Sequence, residues 1–180
     1  MTALRARVLD AAIELLGTQG LKALTHRRID EKAGLPPGST SNYYRTRDGL
    51  LRGVAEAILE RELAGMHATF APRSAEELLV ALVALMDRTT VDQRTLTSAR
   101  LVLFMEASHN PALGETLGQG RATLETALRQ VLHDLGVSDT VTPARAIMAC
   151  AEGLILHRIA RRDDSDIRPV LDLVVRAALA

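Results

Sequence analysis

Aromatic residues are nearly absent from this chain: two tyrosines, two phenylalanines and no tryptophan in 180 residues. With alanine and leucine abundant instead, a sheet protein is disfavoured and helix is favoured. Cysteine is also scarce. Cys150 stands alone, which excludes an intrachain disulfide and fits a reducing compartment. Its apolar surroundings predict an inert core thiol. No uninterrupted apolar segment approaches a membrane span, and Arg5, Arg7 and Asp10 interrupt any signal-peptide pattern. A soluble cytoplasmic protein is expected. His26, His67, His109, His133 and His157 lack metal-ligand spacing with cysteine or carboxylate, so neither a metal nor a cofactor is expected. G-x-S-x-G, a phosphate-binding glycine loop and H-E-x-x-H are all missing, and Cys150 has no evident activating partner. An enzyme is not expected.

Net charge is zero as well, but that balance hides an asymmetry. Residues 1–52 hold nine Lys/Arg against five Asp/Glu, a local charge of +4, and the remainder carries −4. A basic head on an acidic body points to a polyanion at one end. Within that head, residues 25–51 read THRRIDEKAGLPPGSTSNYYRTRDGLL. They predict two short helices joined by a tight turn, with a third starting after Thr46. Gly34 suits the left-handed corner that ends the first. The second, Pro37 to Tyr44, presents Ser39, Thr40, Ser41, Asn42 and Tyr43. Hydroxyls, an amide and a phenol have little use in a core but suit the donor- and acceptor-lined major groove.

Helical periodicity continues to the end of the chain. The first helix, about Ala3 to Thr18, places Leu4, Val8, Ala11, Ala12, Leu15 and Leu16 along one stripe. Thr25 caps a helix from His26 to about Ala33. The fourth starts after Thr46 and runs to about Phe70. Ser74 with Glu77 makes a capping box for the fifth, to about Thr89. Asp92 is expected to cap the sixth. Asn110-Pro111 opens a segment to Leu135-Gly136, with a break expected near Gly118 or Gly120. Thr142-Pro143 opens the eighth, and Ser165 or Asp166 the last. The expectation is an all-α protein of about nine helices. A three-helix helix-turn-helix head, residues 1–47, is fused to a helical-bundle body, residues 48–180.

The head resembles the TetR family of transcriptional regulators over residues 7–51, without a gap. The resemblance is carried by Arg7-Val8-Leu9, Ala11-Ala12, Leu15-Leu16, Gly20, Leu24-Thr25, Ile29, Ala33-Gly34-Leu35, Gly38, Tyr43-Tyr44, Arg47 and Leu50. It implies a DNA-reading head on a body that dimerises and usually binds a small-molecule inducer. Carried over, it implies DNA contacts from Thr25, His26, Arg27, Pro37, Gly38, Ser39, Thr40, Ser41, Asn42, Tyr43 and Arg47. Tyr44 takes the place of a core phenylalanine. Pro36-Pro37 departs from the family's capping serine. The Gly38 and Ser39 amides are therefore expected to stay unpaired until a phosphate satisfies them. Asn42 is the candidate for direct readout, since an amide can pair with adenine.

The body predicts a homodimer through the last two helices. Val170 to Leu179 is apolar except for Asp172 and Arg176, and Ala146 to Leu156 except for Glu152 and Gly153. Helices apolar around most of their circumference need a second face covered. An apolar or amphipathic effector is expected against Met66, Leu82, Met86, Phe104 and Met105, with Arg100, His109, Glu152 and His157 as polar contacts. These residues together suggest a ligand-responsive repressor that binds a pseudo-palindromic operator in double-stranded DNA. The alternative is a helical small-molecule binding protein with a non-functional DNA-binding head.

Overall fold

In the computed structural model, which describes residues 3–66 and 71–180, the regular structure is helical throughout. Among the described residues nine α-helices follow one another: α1 Ala3–Gln19, α2 His26–Ala33, α3 Ser39–Tyr43, α4 Arg47–Met66, α5 Ala75–Asp87, α6 Arg94–Glu106, α7 Pro111–Asp134, α8 Val141–Leu156 and α9 Arg168–Leu179. Residues 67–70, and with them His67 and the expected end of the fourth helix at Phe70, lie outside the described residues. So does the side chain of Met66. No described helix is long and apolar enough to cross a membrane.

The chain divides into two compact units, Met1–Gly65 with Arg94–Gln119 and Met66–Gln93 with Gly120–Ala180. In the first, α1 buries Val8, Leu9, Ala12 and Leu16 and packs on α2 and α6. Its core continues through Leu24, Ile29, Leu50, Leu51, Val54 and Ile58 to Leu103 and Leu113. Leu4, expected on the buried stripe, is exposed, because the buried stripe begins only at Val8, more than a turn inside the helix. Gly17 lets α1 touch backbone: a Cβ there would lie 2.1 Å from the Thr95 carbonyl oxygen. Asp10 and Arg61 form an ion pair between α1 and α4.

In the second unit α9 packs on α5 and α8, burying Leu171, Val175 and Ala178. Leu78, Leu79, Leu82 and Met86 are the buried side of α5. Ser74 caps α5 as its sequence predicts, accepting from the Glu77 amide at 3.1 Å. Two wide turns with π-helical bonding, Arg88–Asp92 and His157–Arg161, follow α5 and α8. Arg158 in the second bonds Asp87 at 2.7 Å and Thr90 at 3.2 Å. Cys150 is half-buried rather than core, and desolvation pushes its thiol pKa up.

The structure departs from the sequence expectation at Asp92, within α7 and at Thr142-Pro143. Asp92 lies inside the first wide turn, two residues before α6, and so does not take the cap position. α7 is unbroken: Asn110 accepts from the Leu113 amide at its start, and its leucines are buried at both ends, Leu113 and Leu117 in the first unit and Leu128 and Leu132 in the second. That burial outweighs the roughly 1 kcal/mol that a helical glycine costs. α8 starts ahead of Thr142-Pro143, because Asp139 accepts from the Val141 amide at 3.1 Å. Pro143 is harmless there, since the first-turn amides need no intrahelical partner.

Candidate nucleic-acid interface

Thr25, extended at φ −128°, accepts from the Arg28 amide and starts α2 where its sequence predicts. Gly34 ends it in the left-handed region at φ 62°. The Arg7 guanidinium donates to the freed Ala33 carbonyl at 2.7 Å, tying α1 to this corner. The chain then passes through Pro36, Pro37 and Gly38, with Gly38 at φ 90°. That conformation is not helical, so α3 begins at Ser39 rather than at Pro37.

The amides at the start of α3 are already satisfied, contrary to the expectation that they await a phosphate. Asp30, in α2, reaches across the turn. Its Oδ2 accepts from the Gly38 amide at 2.8 Å, and its Oδ1 accepts from the Thr40 amide at 2.8 Å and from the Thr40 hydroxyl at 2.5 Å. The Ser39 amide donates to the Pro36 carbonyl at 3.2 Å. Asp30 is 3% exposed and Thr40 is 0% exposed. Desolvation is the strongest single influence on the Asp30 carboxyl and pushes its pKa up. The bonds from Thr40 and Gly38, with His26 nearby, outweigh it and hold the pKa below its ordinary value. Asp30 leaves no capping signal in the sequence, because it lies eight residues before Gly38 rather than next to the helix it caps. The helical spacing of Ile29 and Ala33 nonetheless puts position 30 on the inward side.

Thr40 is therefore corrected from a DNA-facing residue to a buried one. Ser39 is half-buried, its hydroxyl donated to Pro36 O at 2.6 Å. Ser41, Asn42 and Tyr43 remain exposed in one run, as do Pro37 and Gly38. Tyr44 is core, as its sequence position predicts. Its ring lies against α4, where a Cβ on Gly53 would come within 2.3 Å, and its hydroxyl accepts from Arg5 Nε at 3.0 Å.

Two backbone carbonyls gather the remaining candidates at one corner. Tyr44 O accepts from His26 Nε2 at 2.7 Å, so His26 is held rather than freely solvated. A carbonyl only accepts, which fixes the proton on that nitrogen. Leu24 O accepts from Arg47 Nη1 at 3.2 Å. The start of α2, the end of α3 and the start of α4 thus converge, with Thr25 and Arg47 exposed beside them. Arg27 is exposed and pairs with Glu31 along its own helix at 2.9 Å. The exposed groups here are hydroxyls, one amide and guanidinium groups, chemistry that suits phosphates and base edges.

The expected effector residues fall in both units. In the first, Arg100 and Glu62 form an ion pair at 2.9 Å, with side chains only 19% and 13% exposed. Burial, ahead of the opposing pull of Arg100, raises the Glu62 pKa. Phe104 and Met105 are surface residues at 53% and 70% exposure, and His109 is exposed. In the second, Leu82 and Met86 are sealed in the core. Glu152 pairs with Arg121, and His157 opens the second wide turn, half-buried. Among the described residues no group of three or more His, Cys, Asp or Glu is placed to hold a metal ion.

Known proteins resemble this chain along most of its length. The family described as bacterial regulatory proteins, tetR family, matches residues 8–54. A tetracyclin repressor-like C-terminal domain matches residues 73–180. The HTH-type transcriptional regulator BetI of Escherichia coli O139:H28 is 30% identical over 114 residues, covering 61% of this chain and 57% of that regulator. The chain thus spans little more than half the length of the curated relatives it matches. A transcriptional regulator from Rhodococcus sp. Rha1 has the same fold, with a TM-score of 0.85 at 21% identity, covering 99% of this chain and 96% of that one. The multidrug binding protein EbrR, in complex with ethidium, superimposes with a TM-score of 0.80 at 24% identity, covering 98% and 99%.

Proposed function

Because this chain belongs to the TetR family of bacterial regulatory proteins, we propose that it is a sequence-specific DNA-binding transcriptional regulator. Residues 1–47 would read DNA, and residues 48–180 would dimerise and bind an effector. The observation that carries this reading is the exposed run Ser41, Asn42 and Tyr43 on a helix pinned from behind, with Thr25, Arg27 and Arg47 exposed nearby. Arg27, Arg47 and the hydroxyls hold phosphates, which sets register, and Asn42 reads a base edge. His26, Pro37, Gly38 and Ser39 border that contact. No step here calls for catalysis, and a DNA target implies a cytoplasmic location.

The regulator acts as a homodimer on a pseudo-palindromic operator in double-stranded DNA. Leu156 of α8, with Val170 and Leu173 of α9, is an exposed large apolar residue, which supports pairing through these helices. An apolar or amphipathic effector that prefers one conformation of the body relieves repression by shifting populations. The fold likeness to a multidrug binding protein that takes ethidium supports such a class.

The test is to incubate the purified protein with fragmented genomic DNA and sequence what it retains. Enrichment of a two-fold related motif, with affinity falling steeply as salt rises, is the expected result. Indifference to every duplex in dilute buffer would overturn the reading. Small-molecule binding without any duplex affinity would favour a binding protein with an inert head.

A further inference from the structure

We propose that Asp30, which never reaches the surface, is the positioning residue for sequence reading: from α2 it locks the start of α3 so that Ser41, Asn42 and Tyr43 meet DNA in one orientation. The proposal rests on the DNA-binding reading above and assigns a role to a residue outside the contact surface.

α3 has five residues, too few to hold a helix unaided, since nucleation is unfavourable and each added bond repays little. Pro36 and Pro37 have no amide to donate and no side chain to cap with. Gly38 adds freedom at the same point. Left to its local sequence, the entry to α3 would sample many orientations. Asp30 removes that freedom with three bonds from two residues, one bond to Gly38 on the near side and two to Thr40 inside the helix. Both carboxylate oxygens are used, so the group fixes direction as well as position. α2 is itself anchored, by Thr25 at its start and by Arg7 at its end. The orientation of the reading side chains is therefore inherited from α2.

A second consequence concerns phosphate. Amides at a helix start commonly serve as anion donors, and here Asp30 occupies those of Gly38 and Thr40. Backbone anchoring must then come from side chains such as Arg27 and Arg47, while the carboxylate contributes only to preference among sequences.

The experiment compares wild type, Asp30→Asn, Asp30→Ala and Thr40→Val on two duplexes of equal length. One is selected by the wild type from a random pool and the other is unselected. Amide exchange at Gly38 and Thr40 is followed in the free proteins. Asp30→Asn keeps one acceptor oxygen, Asp30→Ala keeps none, and Thr40→Val keeps the amide bond. The preference for the selected duplex should fall about tenfold in Asp30→Asn and about a hundredfold in Asp30→Ala, as expected for loss of bonds to a charged group. Thr40→Val should fall least. Affinity for the unselected duplex should stay within about twofold, and exchange at Gly38 and Thr40 should accelerate.

A merely structural role would lower both affinities by the same factor, because an unfolded fraction binds neither duplex. That parallel loss, or unchanged preference with faster exchange, overturns the proposal. Should the wild type select no sequence at all, the DNA-binding reading fails first and takes this inference with it. A wild type that selects while its Asp30 variants select equally well sinks only the inference.

Discussion

Gly17 of α1 and Thr95 of α6 meet so closely that the smallest side chain does not fit between them. A Cβ on Gly17 would stand 2.1 Å from the Thr95 carbonyl oxygen and 2.9 Å from its methyl carbon. The blocking atom is backbone, so one helix would have to move. Gly118, also inside a helix, meets nothing within 4 Å. Gly17→Ala should therefore destabilise the protein by about 2 kcal/mol through overpacking. Gly118→Ala should stabilise it by about 0.5–1 kcal/mol through helix propensity and unfolded-state entropy. Urea unfolding at constant m-value checks both, and equal effects would remove the distinction.

Glu62 and Arg100 link α4 to α6 through a largely buried ion pair. Glu62→Ala leaves an unpaired guanidinium in a dry setting and should cost on the order of 3 kcal/mol. Glu62→Gln combined with Arg100→Met should recover most of that loss, because no uncompensated charge remains. A double variant as unstable as Glu62→Ala would show that packing, not charge, dominates here. Thermal or urea unfolding of the three proteins decides it.

The two buried carboxylates of the first unit give opposite pH dependences. Asp30 has its folded pKa lowered from 3.8, so its contribution is present above that value and is lost as pH falls through the lower folded pKa. Glu62 has its folded pKa raised from 4.5, so stability is lost as pH rises from there through the raised value. Asp30→Asn should flatten the acid limb of a stability–pH curve, and Glu62→Gln the limb above pH 4.5. Unfolding titrations from about pH 3 to pH 7, within the range that carboxylates span, would expose a wrong sign directly.

Arg47→Ala should weaken all duplexes alike and reduce the salt slope by about one. It also deletes the bond to Leu24 O, so a modest fall in thermal midpoint accompanies it. Asn42→Ala, at an exposed position, should leave stability within about 0.5 kcal/mol and change preference at one base pair by about 1–3 kcal/mol. Binding isotherms on single-base operator variants separate the two. A uniform loss in Asn42→Ala would deny it base readout.

Much of the fold was legible because its signals are local. Thr25 before His26, Ser74 with Glu77, and Asn110 with Pro111 each announce a helix start within four residues, and Thr25, Ser74 and Asn110 each accept from an amide of the first turn. Asp172 and Arg176, four apart, pair at 2.7 Å as their spacing suggests. Two of the misses are cases where burial or a partner outside the local sequence decides. Gly118 reads as a break until the leucines of α7 are seen buried. Thr40 reads as a surface hydroxyl until Asp30 arrives from the preceding helix. The reach of α2 across the turn has no signature in the residues next to α3, only in the inward phase of position 30.

That borrowed geometry limits how the specificity could be transplanted. A peptide covering residues 36–45 alone should be disordered in water, since most of what shapes it comes from outside: a carboxylate at 30, an imidazole at 26 and a glycine gap at 53. Grafting Ser41, Asn42 and Tyr43 onto another helix-turn-helix scaffold would import the letters without the grammar. The smallest portable unit runs from Arg5 and Arg7, which hold Tyr44 and the end of α2, through to Gly53.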